Sequence, residues 1–282
     1  MSHPPIGYYL PAPSHWPVVG SLALLMLALG ATLAIHEMTG GGFLLGAGAA
    51  TLAAMLLGWF GRVIHESQGG LHDAQVERSF RWGMVWFIFS EVMFFAAFFG
   101  ALLYAHVVSV PGLASGDSAL LWPGYSGGWP TAGPGLKAVF TPMAAWGIPA
   151  LNTLILLSSG ATVTWAHWGL KRGRQWQLKA GLALTVVLGM VFIALQAHEY
   201  SEAYRHMGLT LGAGIYGATF FMLTGFHGLH VTLGTLMLMV ILGRGLAGHF
   251  TPERHFAFEA VSWYWHFVDV VWLLLFVFVY WL

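Results

Sequence analysis

Seven apolar runs separated by shorter polar breaks make up most of the chain, at about 16–35, 43–64, 82–106, 143–168, 178–198, 213–243 and 258–281. About 20 residues at a rise of ~1.5 Å cover a hydrocarbon core roughly 30 Å thick, so each run is long enough to span a bilayer as a helix. The pattern predicts an all-α polytopic membrane protein with seven transmembrane helices. A barrel would show segments of about ten residues that alternate between lipid-facing and lumen-facing character, and these runs do not. Short breaks such as Glu37 to Gly42 and Gly169 to Gln177 make sequential helices antiparallel neighbours. The longest break, Val107 to Thr141, is rich in Pro, Gly and Trp. It is expected to lie over a partner's surface or to form an interfacial loop pinned by Trp122 and Trp129. No internal repeat of the transporter kind is evident.

Composition agrees with the pattern: 57% of residues are hydrophobic and 8% charged, against about a quarter charged in soluble domains. Eleven Lys and Arg balance eleven Asp and Glu, so the basic surplus that grips nucleic acid is missing. The sequence has no cysteine, which removes disulfides, thiolate-held metals and cysteine nucleophiles from consideration. The N-terminus lacks Lys and Arg and the first apolar run is of full spanning length, so that run is expected to remain as a helix rather than act as a cleaved leader. Arg62, Arg78, Arg81, Lys171, Arg172, Arg174, Lys179, Arg244 and Arg254 fall on the N-terminal side, with Lys137 and Arg205 opposite. The positive-inside rule then puts the N-terminus in the cytoplasm and the C-terminus outside. Tyr8, Tyr9, Trp16, Trp82, Trp168, Tyr280 and Trp281 are expected as anchors at the two interfaces.

The candidate chemistry lies in polar residues at membrane depth. An acid there costs about 2.5–3.5 kcal/mol on the insertion scale, so it normally faces protein or a water-filled cavity. Glu91 lies ten residues beyond Arg81, about 15 Å into the third helix, among six phenylalanines. It is either a functional carboxyl or a neutral, hydrogen-bonded structural one. On the last helix Glu259, Trp263, His266 and Val270 form a stripe, and Asp269 sits three residues from His266. These polar groups read either as a packing network or as a proton path. His227 and His230, also at i and i+3, suit a metal or a haem only with further ligands, and are otherwise satisfied core histidines. Neither Glu-x-x-His nor HExxH occurs, and there is no phosphate-binding loop, nucleophile elbow or dinucleotide fingerprint. His198, Glu199, Glu202, Arg205 and His206 read as a solvated interfacial cluster.

Several stretches in order resemble subunit III of the haem-copper cytochrome c oxidases. They are His15-Trp16-Pro17, Arg81 through Ser90-Glu91-Val92 to Phe99, Trp129-Pro130, Asn152-Thr153, Ser158 to Gly160 leading into Thr164-Trp165-Ala166-His167, Gln196, Glu199-Tyr200, Tyr216-Gly217, Thr224 to His230, and His255 to Trp272. The resemblance covers nearly the whole chain. It implies a two-plus-five arrangement of helices around a V-shaped lipid cleft, with a first part at 1–70 and a second at 71–282 inside a single membrane domain.

The resemblance further implies a non-redox subunit of a proton-pumping, O2-reducing respiratory oxidase in a bacterial cytoplasmic membrane, C-terminus periplasmic. The chain is expected to stabilise the catalytic subunit and to support proton uptake and lipid or O2 access. Catalysis, haem and copper belong to partner subunits I and II, cytochrome c is the electron donor of the complex, and this chain holds only structural phospholipids. Glu91, Arg62, His65, Glu66, His72 and Arg244 are the residues expected at the lipid cleft, and His227, His230, Glu259, His266 and Asp269 form the intramembrane polar network. His65 stands where the family has an Arg for a lipid phosphate, leaving Arg62, His65 and His72 as substitutes. Trp168 replaces a second His, and Ala213 replaces an acid that is common before Tyr-Gly. The alternatives are the matching subunit of a quinol oxidase, whose relatives commonly lack the first two helices, a stand-alone proton channel or transporter, and a haem carrier on His227 and His230.

Overall fold

The computed structural model describes residue 9, residues 12–136 and residues 138–281. Tyr8 and Lys137, an expected anchor and one of the counted cations, lie outside them. Seven helices are long and apolar enough to cross a membrane. They are α1 (Trp16–Ile35), α2 (Gly41–Gln68), α3 (Ala74–Tyr104), α4 (Ile148–Lys171), α5 (Gln175–His206), α6 (Gly214–Leu246) and α7 (Phe256–Leu275). A wider π-helical turn continues α3 through Ala105–Ser109 and another continues α7 through Phe276–Trp281. No strand occurs among the described residues.

Most helices run a turn or more past the apolar stretches into polar sequence, because the helical backbone still satisfies its own hydrogen bonds there. One starts later than expected. The apolar run at 143 becomes helical only at Ile148, after Gly147 at φ 125° and with Pro149 in the first turn.

Contacts divide the chain into two compact units, Met1–Phe80 and Arg81–Leu282. In the first unit α1 and α2 form a hairpin whose backbones nearly touch. A Cβ added at Gly30 would come within 2.6 Å of the Leu45 amide nitrogen, and one at Gly41 equally close to that of Ala34. Small residues allow this approach, which is what holds helices together where lipid is as apolar as the side chains.

In the second unit α4, α5, α6 and α7 close into a ring, α4 touching α5 and α7, and α6 touching α5 and α7. Trp265 of α7 is fully buried at its centre. Its indole lies over Gly189 of α5 and Gly234 of α6, where an added Cβ would meet the ring at 3.0 and 2.9 Å, and its Nε1 donates to Ser159 Oγ of α4 at 2.9 Å. A single side chain thus joins four helices. Trp272 Nε1 adds a second tie to α4 through Thr153 Oγ1 (2.9 Å). α3 leans on this ring through aromatic pairs, Phe94 against Phe226 at 5.0 Å and Phe87 against Tyr264 at 6.2 Å.

The long connection folds back on the bundle. Trp129 stacks on His106 and meets Tyr216 edge-on, so it packs against protein, whereas Trp122 stays exposed. The carbonyls of Ala132 and Thr131 accept from the amides of Ile215 and Tyr216, filling the open N-terminal donors of α6.

Candidate functional site

The polar residues at membrane depth do not form one network; they separate into pairs, each tying two helices. Glu91 of α3 meets His230 of α6, Oε2 to Nε2, at 3.0 Å. The other ring nitrogen of His230 lies 2.6 Å from the Phe226 carbonyl, which can only accept, so Nδ1 carries a hydrogen. A single proton then serves the Glu91–His230 bond, held either by the carboxyl or by the imidazole, and in both arrangements the pair is neutral overall. Phe94 and Phe95 pack around the His230 ring.

His227 points the other way. Its Nε2 donates to the Val268 carbonyl of α7 at 3.2 Å, and its ring lies between Phe192 and Trp272 while Nδ1 is buried without a partner. Both nitrogens of His230 and one of His227 are therefore engaged by protein groups. Among the described residues no three His, Cys, Asp or Glu side chains come together in a way that could hold a metal ion.

On α7 the expected stripe divides by depth. Glu259 accepts from Arg81 Nε of α3 at 3.0 Å, and the Arg81 guanidinium also lies over Phe256. Both side chains of this ion pair are partly exposed. Glu259→Gln is therefore expected to cost about 1 kcal/mol or less, the usual worth of such a pair. Retention of the chain in detergent after heating checks this; a large loss would show the pair to be buried in the assembled protein.

His266 and Asp269 join α7 to α4, not to the histidines of α6. The Thr164 hydroxyl donates to the Gly160 carbonyl at 2.8 Å, so its oxygen accepts from His266 Nε2 at 3.2 Å. Nδ1 of the same ring faces Asp269 Oδ2 at 3.8 Å, beyond hydrogen-bond length. Asp269 is buried against Gly160, where a Cβ would come within 2.5 Å of Oδ2, and its Oδ1 has no partner.

The residues expected at lipid fall in both units. In the first, Arg62 Nε bonds Glu66 Oε1 at 3.1 Å, one turn apart on α2, and Tyr9 packs on His72. His65 is exposed. In the second, the Arg244 guanidinium lies 4.8 Å over the Phe250 ring, with Nε buried and unpartnered.

A further network differs from the sequence expectation. Glu199, grouped there with solvated residues, is 1% exposed. Tyr280 Oη donates to its Oε1 at 2.6 Å, Gln196 Nε2 lies 3.4 Å from the same oxygen, and Asn152 Nδ2 donates to Gln196 Oε1 at 3.4 Å. Tyr280, expected as an interface anchor, is accordingly buried, while Trp281 beside it remains exposed. The signal was present. Leu178, Leu182, Thr185, Gly189, Phe192, Gln196, Glu199 and Ala203 alternate steps of four and three, the spacing of a packed seam, and all are buried.

A family model described as cytochrome c oxidase subunit III matches residues 6–282. A protein named cytochrome c oxidase subunit 3 from Marchantia polymorpha is 44% identical over 97% of this chain and 96% of its own length. Proteins of the same name from Cyprinus carpio and Danio rerio are each 42% identical over the full chain and 99% of theirs. With the match running through both units and all seven helices, the chain belongs to the cytochrome c oxidase subunit III family, and so is a membrane-spanning subunit of an oxidoreductase complex.

Proposed function

We propose that the chain is a non-redox support of its oxidase. In this reading subunits I and II carry the haem and copper, cytochrome c delivers electrons, and O2 reduction with proton pumping belongs to the complex. The chain's own part is to brace the catalytic subunit and to hold lipid, with proton uptake and O2 access as what that bracing sustains. One observation carries the reading: the acid and histidines that a relay or a haem site would need first are engaged in tying helices together, Glu91 with His230 and His227 with the Val268 carbonyl. Lipid headgroups are assigned to Arg62, His65 and His72 in the first unit and to Arg244 in the second. In this reading the chain lies in a bacterial cytoplasmic membrane with its N-terminus cytoplasmic and its C-terminus periplasmic, an orientation supported by the excess of Lys and Arg on the N-terminal side.

The test is purification through a tag on this chain. Copurification of haem- and copper-bearing subunits with oxidation of reduced cytochrome c is expected. Activity toward quinol alone would make the chain part of a quinol oxidase, and a haem band that stays with the isolated chain would end the non-redox reading.

Glu91→Gln is expected to leave assembly and initial turnover intact while shortening the active lifetime of the complex. The amide can still donate to His230 Nε2, so the helix tie survives, and only the shared proton is lost. Activity followed over many turnovers checks this; failure of the variant complex to assemble would make the carboxyl structural.

A further inference from the structure

A shallow groove of about 480 Å³ runs along the outer side of α4 and α7, and includes Gly160, Thr164, Trp168, His266, Asp269 and Val270 in its walls. Its rims are apolar and open, with Trp168 and Val270 more than half exposed. Its floor is not apolar. His266 is 46% exposed there, and the carboxyl of Asp269, 8% exposed, sits beside it with one oxygen unpartnered. Both lie near the middle of α7, where an acyl chain offers nothing to hydrogen-bond and uncovered polar groups are costly. The other membrane-depth acids discussed above are met within the chain, Glu91 by His230 and Glu259 by Arg81. Here the 3.8 Å gap between Nδ1 and Oδ2 leaves the pair unclosed.

We propose that this groove seats a transmembrane helix of another subunit of the oxidase, one that is apolar apart from a single hydrogen-bonding side chain placed against His266 and Asp269. The inference rests on the subunit reading above and names the face that does the docking. A helix is favoured over lipid because an acyl chain supplies no polar group at that depth, whereas a side chain on a helix can. Ala161, exposed and small, leaves the α4 wall low and lets a helix backbone come close.

A photo-activatable benzophenone side chain built in place of Val270, in the assembled complex, tests it. Light should shift this chain on a gel by the mass of another oxidase subunit, while the same probe in place of the lipid-facing Leu184 of α5 should give no such shift. Release of this chain from the complex by the probe at 270, and not at 184, would support the proposal equally. Adducts at 270 with lipid alone, or with a second copy of this chain, from a complex that still copurifies intact would overturn the groove and leave the subunit reading standing. If no oxidase subunit copurifies even with the unaltered chain, the subunit reading falls and the proposal with it. As a second measurement, Ala161→Trp, which fills the groove from an exposed position, should leave the chain in the membrane but strip it from the other subunits on solubilisation. A fully occupied complex in that variant would count against the proposal.

Discussion

Trp265→Ala is expected to destabilise the second unit by about 3 kcal/mol, at the lower end of the roughly 3–5 kcal/mol typical of a buried aromatic truncated in a core. The lower end applies because the surrounding solvent is lipid, so little is gained by keeping the indole from it; what is lost is close packing and a hydrogen bond. That packing is unusually shared. The ring is gripped by Gly189 and Gly234 and donates to Ser159, so one deletion opens a void bordered by α4, α5 and α6 together. Gly234→Ala makes the complementary error, pressing a methyl to within 2.9 Å of the ring, and should cost about 1–3 kcal/mol by overpacking. The two changes combined should cost less than their sum, since the added methyl enters the space the ring left. Unfolding of the purified chain in mixed detergent reads all three; strict additivity would show that the indole and Gly234 are not in contact.

The second large effect is expected where the C-terminal ends of α5 and α7 meet. Tyr280→Phe removes the 2.6 Å donor from a glutamate that is almost wholly buried and leaves Glu199 with only the longer contact to Gln196. Stranding a buried acceptor costs about 1–3 kcal/mol, with a carboxyl toward the upper part of that range. Glu199→Gln should be milder, because its amide oxygen still accepts from Tyr280. A solvated, interfacial Glu199 would predict almost no response to either change. The temperature at which the chain leaves the solubilised complex distinguishes the two, and indifference to Tyr280→Phe would return Glu199 to the surface.

Glu91 and Glu199 mark how far the site could be read from sequence. Glu91 was marked by position alone: an acid about 15 Å inside an apolar run must face protein or water wherever the helix packs. Glu199 was hidden by its neighbours. Placed among His198, Glu202, Arg205 and His206 near the end of a run, it reads as surface in a hydropathy window, although its seam spacing with Phe192, Gln196 and Ala203 says core. The glycines divided in the same way. Gly41, Gly48 and Gly234 sit at close helix contacts, whereas Gly42, Gly46 and Gly228 from the same stretches face open space. Composition cannot separate these, because the choice depends on which face of the helix meets a neighbour.

Hydropathy by itself determined that the chain is helical and has seven helices long and apolar enough to cross a membrane, while their ends were set by the structure. A bilayer forces every spanning segment to satisfy its own backbone, so length and apolarity leave no other structure. The order of motifs from His15 to Trp272 was enough to reach the family. Only the tertiary structure decided the partners: Glu91 with His230 across 139 positions, Arg81 with Glu259 across 178, and His266 with Thr164 of α4 rather than with a histidine of α6. At the membrane midplane every polar side chain needs a partner, and several on other helices are chemically suitable. Which one it meets is fixed by the rotation and depth of each helix in the bundle, set in turn by close contacts such as Trp265 on Gly189 and Gly234, and no periodicity within one helix records those.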